Sequence, residues 1–99
     1  MRLVIEPGAA KDFDAAVNWY ARVGRDLVAG FVAEMERRVA EVLAAPESYP
    51  FAPDQRDVRQ APATGRFPHA IVFVVRRDAV HVVAFAHPRR RPGYWGGPR

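Results

Sequence analysis

Two β-rich runs late in the chain, Phe67 to Arg76 and Ala79 to His87, constrain the fold more than any other feature. Both are dense in Val, Ile and Phe, residues that suit a pleated, half-buried surface. Only Arg77-Asp78 separates them, so they read as antiparallel strands joined by a tight turn. A two-residue loop sets the pairing: Arg76 faces Ala79, Val74 faces His81, and Pro68 faces His87. Opposed residues share a side of the sheet. One side then carries Ile71, Phe73, Val75, Val80, Val82 and Ala84, is wholly apolar, and needs a cover. The other side carries Val72, Val74, Arg76, His81, Val83, Phe85 and His87, with Arg66 if the strand extends back. That mixed, cationic side is the expected ligand surface.

The cover comes from the first half of the chain. Arg2-Leu-Val-Ile-Glu6 reads as a short strand closed by Pro7-Gly8. From about residue 10 to 23, Phe13, Ala16, Val17, Tyr20 and Val23 recur at helical spacing, one stripe of an amphipathic helix. Gly24 suits the position after its last turn. Asp26 is the expected N-cap of a second helix. Its seam is Val28, Phe31, Met35, Val39 and Val42, with Glu34, Glu36, Arg37, Arg38 and Glu41 mostly outward. Pro46 ends it. The short link predicts an antiparallel helix pair. Pro46, Pro50 and Pro53 mark a loop, Val58 to Ala61 a possible short strand, and Pro62 to Gly65 a turn. The whole predicts one domain over 1–99 of the α+β class: an N-terminal strand, a helical hairpin, then a three-stranded antiparallel sheet (β-α-α-β-β-β), with the helices on one face.

Charge is divided unevenly along this frame. Residues 1–50 hold six Lys/Arg and eight Asp/Glu, whereas residues 51–99 hold nine Arg and three Asp. Fourteen of the fifteen basic residues are arginine, the side chain that binds phosphate through two parallel hydrogen bonds and stacks on bases. A GC-rich coding sequence would also favour Arg and Ala, but it would not gather the charge in one half. There is no cysteine, so disulfides and thiolate metal sites are excluded. The N-terminus lacks a long apolar segment, and the longest apolar run is broken by Arg76, Arg77 and Asp78. The expected location is therefore the cytoplasm, with no membrane partner.

The chemistry-bearing residues gather at the end of the second run, in His87-Pro-Arg-Arg-Arg-Pro-Gly-Tyr94-Trp95. His81 and His87, six residues apart on one strand, are roughly 20 Å from each other and cannot share an ion. No carboxylate cluster accompanies them, so no metal or other cofactor is expected. Ser48 and Thr64 are the single serine and threonine, and neither lies in a nucleophile motif. What remains is Arg66, His87, Arg89, Arg90, Arg91 and Tyr94. These suit a phosphodiester: cations for the charge that develops on phosphorus, His or Tyr for proton transfer, and an RNA 2′-hydroxyl as nucleophile. The same residues also read as a solvated basic tail. Tyr94-Trp95 either plugs the open end of the sheet or stacks on bases. Tyr20 belongs to the helical stripe, while Trp19, off its centre, marks an interface together with Arg22.

Trp19-Tyr20, Pro46-x-x-Tyr49-Pro50, Arg66-Phe67-Pro68 and His87-x-x-Arg90-x-Pro92-x-Tyr94-Trp95 occur in that order on the expected elements. In these motifs the chain resembles the RelE/ParE superfamily, toxins of type II toxin–antitoxin systems, from about residue 3 to residue 95. The resemblance implies the same α+β fold, a growth-inhibiting activity, and a cognate antitoxin that wraps the helical hairpin and a sheet edge. It implies one of two targets. RelE-like members cut ribosome-bound mRNA without metal, and ParE-like members inhibit DNA gyrase. Under the first, Arg66, Arg90 and Tyr94 match catalytic positions and His87 transfers a proton. Arg59, Arg76, His81, Arg89 and Arg91 are the expected target contacts. Residues 51–60 carry Arg56 and Arg59 where the nucleases carry lysines, and both targets stay open, as does a non-toxic antitoxin-binding module.

Overall fold

The computed structural model describes residues 1–91 and 93–95. In chain order the elements are β1 (Arg2–Ile5), α1 (Pro7–Val23), α2 (Arg25–Ala44), a 3-10 turn (Pro46–Ser48), β2 (Val58–Ala61), β3 (Ala70–Arg76) and β4 (Ala79–Ala86). The sheet order is β1-β4-β3-β2. β2 with β3 and β3 with β4 are antiparallel, as expected, whereas β1 runs parallel to β4. The α+β arrangement with helices on one face stands, and the sheet is mixed. A parallel neighbour requires a long crossover, and everything between β1 and β4 supplies one.

α1 starts three residues before the predicted stripe. Pro7 sits in its first turn, where a missing N–H costs nothing. Fully buried Ala9 extends the stripe backwards, whereas Val23 at its far end is 59% exposed. Gly24 caps both helices with φ 178°, an extended conformation open to any residue, and its N–H donates to Tyr20 O at 2.8 Å. Asp26 is not the N-cap of α2; it lies inside the first turn, where its charge still complements the helix dipole.

α2 buries Phe31, Met35, Arg38 and Val42. Arg38 was expected outward, yet it is 2% exposed. Its Nη1 donates to His69 O at 2.7 Å, and its Nη2 to Ala61 O at 3.1 Å and Pro62 O at 2.7 Å. These carbonyls lie at the end of β2 and just before β3, where the strand ladder has run out. The guanidinium supplies the donors they lack. Burial pulls its pKa below the ordinary value, and Glu34 partly opposes that shift. Between helices and sheet, Phe31 is the hub: its ring centroid is 5.4 Å from Phe13, 5.3 Å from Tyr20 and 5.4 Å from Phe67. Truncating such a side chain to Ala costs about 3–5 kcal/mol.

The predicted hairpin pairing holds near the turn, with Arg76 opposite Ala79 and Val74 opposite His81. It then slips. Phe73 faces Val82 but Val72 faces Ala84, so Val83 is an extra residue in β4. This bulge reverses the alternation beyond it. Phe85 joins Ile71, Phe73, Val80 and Val82 in the core against the helices, while Ala84 and Ala86 move to the far side. The expected faces of Ala84, Phe85 and His87 are thus exchanged. Nor is the far side an open cationic surface. Val72, Val74, Val83, Ala84 and Ala86 are buried there with Ala52 and Val58, under Tyr94 and Trp95. The aromatic pair plugs the sheet.

Candidate functional site: the cleft between α1 and the tail

The bulge delivers His87 to the helix side, where its ring centroid lies 5.2 Å from that of His69. The chain then turns sharply. Arg90 N–H donates to His87 O at 3.0 Å, and Tyr94 N–H to Arg91 O at 3.2 Å. Arg89 N–H donates to His87 Nδ1 at 3.0 Å. The neutral ring therefore carries its proton on Nε2. Pro92 of the closing motif lies outside the described residues.

Opposite the tail stands Asp12 of α1. Its Oδ2 accepts the Phe85 N–H at 3.1 Å and the Tyr94 hydroxyl at 2.8 Å. Its Oδ1 is 3.8 Å from Arg90 Nη1. The Arg90 guanidinium lies over the Tyr94 ring, 3.9 Å from the centroid. Burial first, then the hydrogen bond to Asp12 and its charge, push the Tyr94 phenol above the ordinary tyrosine value. Its hydroxyl is a committed donor at neutral pH and does not accept protons.

Between these walls is a cleft of about 670 Å³, lined among others by Trp19, Tyr20, His69, His87, Arg90 and Tyr94. Trp19 is 57% exposed and the Arg22 guanidinium stands 5.7 Å from its ring centroid. His69 is buried, its Nδ1 has no hydrogen-bond partner among the described residues, and burial followed by the charges of His87 and Arg38 lowers its pKa to about 4. The cleft thus offers aromatic surface, a neutral imidazole and exposed arginines. Its one carboxylate is already engaged. It suits a ligand that is anionic and partly flat or apolar.

Of the expected catalytic residues, His87, Arg90 and Tyr94 converge on this cleft, and Arg66 does not line it. The backbone at Arg66 is anchored to α2. Glu34 accepts its N–H at 3.0 Å and that of Phe67 at 3.3 Å. The Arg66 guanidinium lies 5.5 Å from the Phe67 ring centroid, and its Nη1 would be 3.7 Å from a Cβ built on Gly30 of α2. Gly65 permits this: a Cβ there would fall 2.5–2.8 Å from the Glu34 carboxylate. The expected target contacts also separate. Arg89 lines the cleft, and Arg91 is exposed in the adjoining tail. Arg76 and His81 sit at the turn end of the hairpin, His81 Nδ1 3.8 Å from Glu6. Arg59 is occupied: its Nη1 donates to Tyr49 O at 2.6 Å and Glu47 O at 3.4 Å, and its guanidinium stacks 4.0 Å from the Phe51 centroid.

A second concavity, about 500 Å³ and almost entirely apolar, runs between β1 and the helices. Leu3, Ile5, Phe13, Met35, Val39 and Leu43 line it, with Leu3 and Ile5 about two-fifths exposed. Among the described residues no three His, Cys, Asp or Glu side chains gather as metal ligands would, and no helix is long and apolar enough to cross a membrane.

Sequence reasoning passed over Asp12, Glu34, Arg38 and His69. Two had a readable signal. Arg38 stands at i+7 from Phe31 and i+3 from Met35, on the buried stripe. Asp12 stands three residues after Ala9 and four before Ala16, likewise on a buried stripe. A charge at a core position announces a specific partner.

No protein-family model matches the sequence, and no curated protein matches it. The fold is similar to a chain of a solved structure described as the chromosomal ParDE TA system from P. aeruginosa. That chain superposes with a TM-score of 0.75 at 20% identity, over 88% of this chain and 95% of the other. At that identity the likeness speaks for the fold.

Proposed function

We propose that the chain is the toxin of a type II toxin–antitoxin pair, acting in the cytoplasm by binding its target rather than by cutting RNA. Support for a toxin comes from the ordered motifs and from a fold shared with a chain of a ParDE toxin–antitoxin system. Support for binding rests on one observation: Arg66 does not line the cleft on which His87, Arg90 and Tyr94 converge. The Arg66 guanidinium lies beside Phe67 and Gly30 of α2, and the Tyr94 hydroxyl is committed to Asp12. With the Tyr94 hydroxyl engaged and Arg66 outside the lining, the arginines and aromatic rings of the cleft favour holding an anionic partner over cutting one. DNA gyrase, the target of ParE-like toxins, is the proposed target, met by the cleft and the arginines around it.

The partner is a cognate antitoxin. The apolar groove beside β1 suits an amphipathic segment of such a partner, which would lay apolar anchors on Leu3, Ile5, Val39 and Leu43. Acidic residues in the same partner would complement the basic second half of the chain.

The test is induction of the chain alone, followed by assays of the purified protein on gyrase and on translating ribosomes. The expected result is growth arrest, loss of supercoiling and intact mRNA. Cleavage of mRNA that disappears in His87→Ala would replace binding with catalysis. Normal growth on induction would remove the toxin assignment.

A further inference from the structure

We infer that Asp12 is the positioning residue of the tail: one enclosed carboxylate sets where Arg90 and Tyr94 stand, and through them whether the cleft can hold its target. The inference rests on the target-binding function proposed above and assigns a residue to it.

β1 ends at Ile5, opposite Val82, and Glu6 N–H donates to Val82 O at 2.9 Å. Beyond that point the chain leaves as α1, so no β1 residue pairs with Phe85. Its N–H is met by Asp12, from the second turn of α1, at 3.1 Å. A side chain takes the place of the missing strand. The same oxygen accepts the Tyr94 hydroxyl, and the other lies 3.8 Å from Arg90 Nη1. One side chain, 10% exposed, therefore joins a helix, the bulged strand and the tail.

An ionised carboxylate so enclosed is retained only where it is well partnered. Here its partners define a geometry. The backbone hydrogen bonds of the tail, from Arg90 to His87 and from Tyr94 to Arg91, are local. They curl the segment without directing it. Packing of the Tyr94 ring on the far side of the sheet is apolar contact, which is non-directional. Toward α1, the direction comes from the hydrogen bond and ion pair to Asp12. They hold the Tyr94 ring so that Arg90 can stack on it, and they give Arg90 its facing charge. Removing the charge takes the facing charge from Arg90 and weakens the hydrogen bond that holds the Tyr94 ring.

Asp12→Asn keeps the shape and removes the charge. Its potency against gyrase should fall about tenfold, the scale of one charge-assisted contact. Arg90→Ala should fall as far, and the double variant by less than roughly threefold more, because the two act as a unit. Asp12→Glu should recover part of the loss. Asp12 touches the Tyr94 hydroxyl, so in Asp12→Asn the ultraviolet titration of Tyr94 should come down toward the ordinary value, while the potency loss shared with Arg90→Ala is what a merely structural role would not produce. Exchange of the Phe85 amide should quicken. A folded Asp12→Asn with unchanged potency and unchanged titration overturns the inference, as does simple additivity with Arg90→Ala. If Asp12→Asn does not fold, Tyr94→Phe substitutes for it. That variant keeps the Asp12–Phe85 bond, must also lose potency, and overturns the inference if it does not. Should the wild-type chain leave both gyrase and growth untouched, the target assignment fails on its own. The role of Asp12 is then decided by the titration and by Phe85 exchange: both moved supports it, both unmoved overturns it.

Discussion

Lowering the pH from 7 to 4 brings a proton to an imidazole that the folded chain is not built to charge. His69 is 5% exposed, with its ring centroid 5.1 Å from Phe31, 6.3 Å from Tyr20 and 5.2 Å from His87. Its Nδ1 has no hydrogen-bond partner among the described residues. Burial, then the charges of His87 and Arg38, lower its pKa from 6.5 to about 4. The unfolded ring takes a proton near pH 6.5, and the folded one only near 4. Between those values the unfolded state binds more protons, so stability rises with pH and is lost as pH falls. At 1.36 kcal/mol per unit, the loss on reaching pH 4 is at most about 3 kcal/mol. Against a typical total of about 5–15 kcal/mol, that is a large share. The assay is urea unfolding at several pH values for the wild type and for His69→Leu, which packs without titrating. Carboxylate contributions are common to both and cancel in the difference. The wild type should lose up to about 3 kcal/mol more than the variant between pH 7 and pH 4. Parallel curves for the two chains would refute the reasoning.

Arg38→Met strips donors from three carbonyls at the ends of β2 and β3, and should lower unfolding free energy by about 2–4 kcal/mol, read from the denaturant midpoint. Gly65→Ala drives a methyl group into the Glu34 carboxylate and should cost about 1–3 kcal/mol. In a Glu34→Ala background the same change should cost clearly less, and equal costs in both backgrounds would exclude the contact as the cause. Ile5→Lys puts a charge in the apolar groove, and should leave growth arrest intact while abolishing rescue by a co-expressed antitoxin. Continued rescue would place the antitoxin elsewhere.

The helices, the tight turn at Arg77-Asp78 and the order of elements were all legible, because periodicity and turn length are local properties. The turn carries a residue in the left-handed region, Arg77 at φ 57°. What escaped was non-local. Nothing in Val82-Val83-Ala84 marks the middle residue as a bulge, since all three are apolar and suit either side of a sheet. That one unseen insertion exchanged the faces of Phe85 and His87. It turned an expected open cationic surface into a plugged one and moved the candidate site to the helix side. The direction of β1 was equally hidden, because its four residues carry no information on which end meets β4. The cluster His87, Arg90 and Tyr94 was legible from proximity in sequence. Arg66 was grouped with it by the expected strand faces and by chemistry as well as by resemblance, and the structure sets its backbone on Glu34 and its guanidinium beside Gly30 of α2.

The position of β1 bears on how this chain must be made. In the sheet β1 has a neighbour on one side, β4, among the described residues. Arg2 and Glu6 turn their N–H groups toward β4, so by alternation those of Leu3 and Ile5 point outward. An outward row of peptide groups beside half-exposed Leu and Ile side chains is a template for further strand pairing, including pairing with another copy. No proline or lysine stands in β1 to discourage it. Chains synthesised in excess of a partner that covers this edge would therefore be prone to aggregate, and yield of soluble protein should track the supply of that partner. Translation of the partner first, or from the same message, would then protect the fold of this chain as well as restrain its activity.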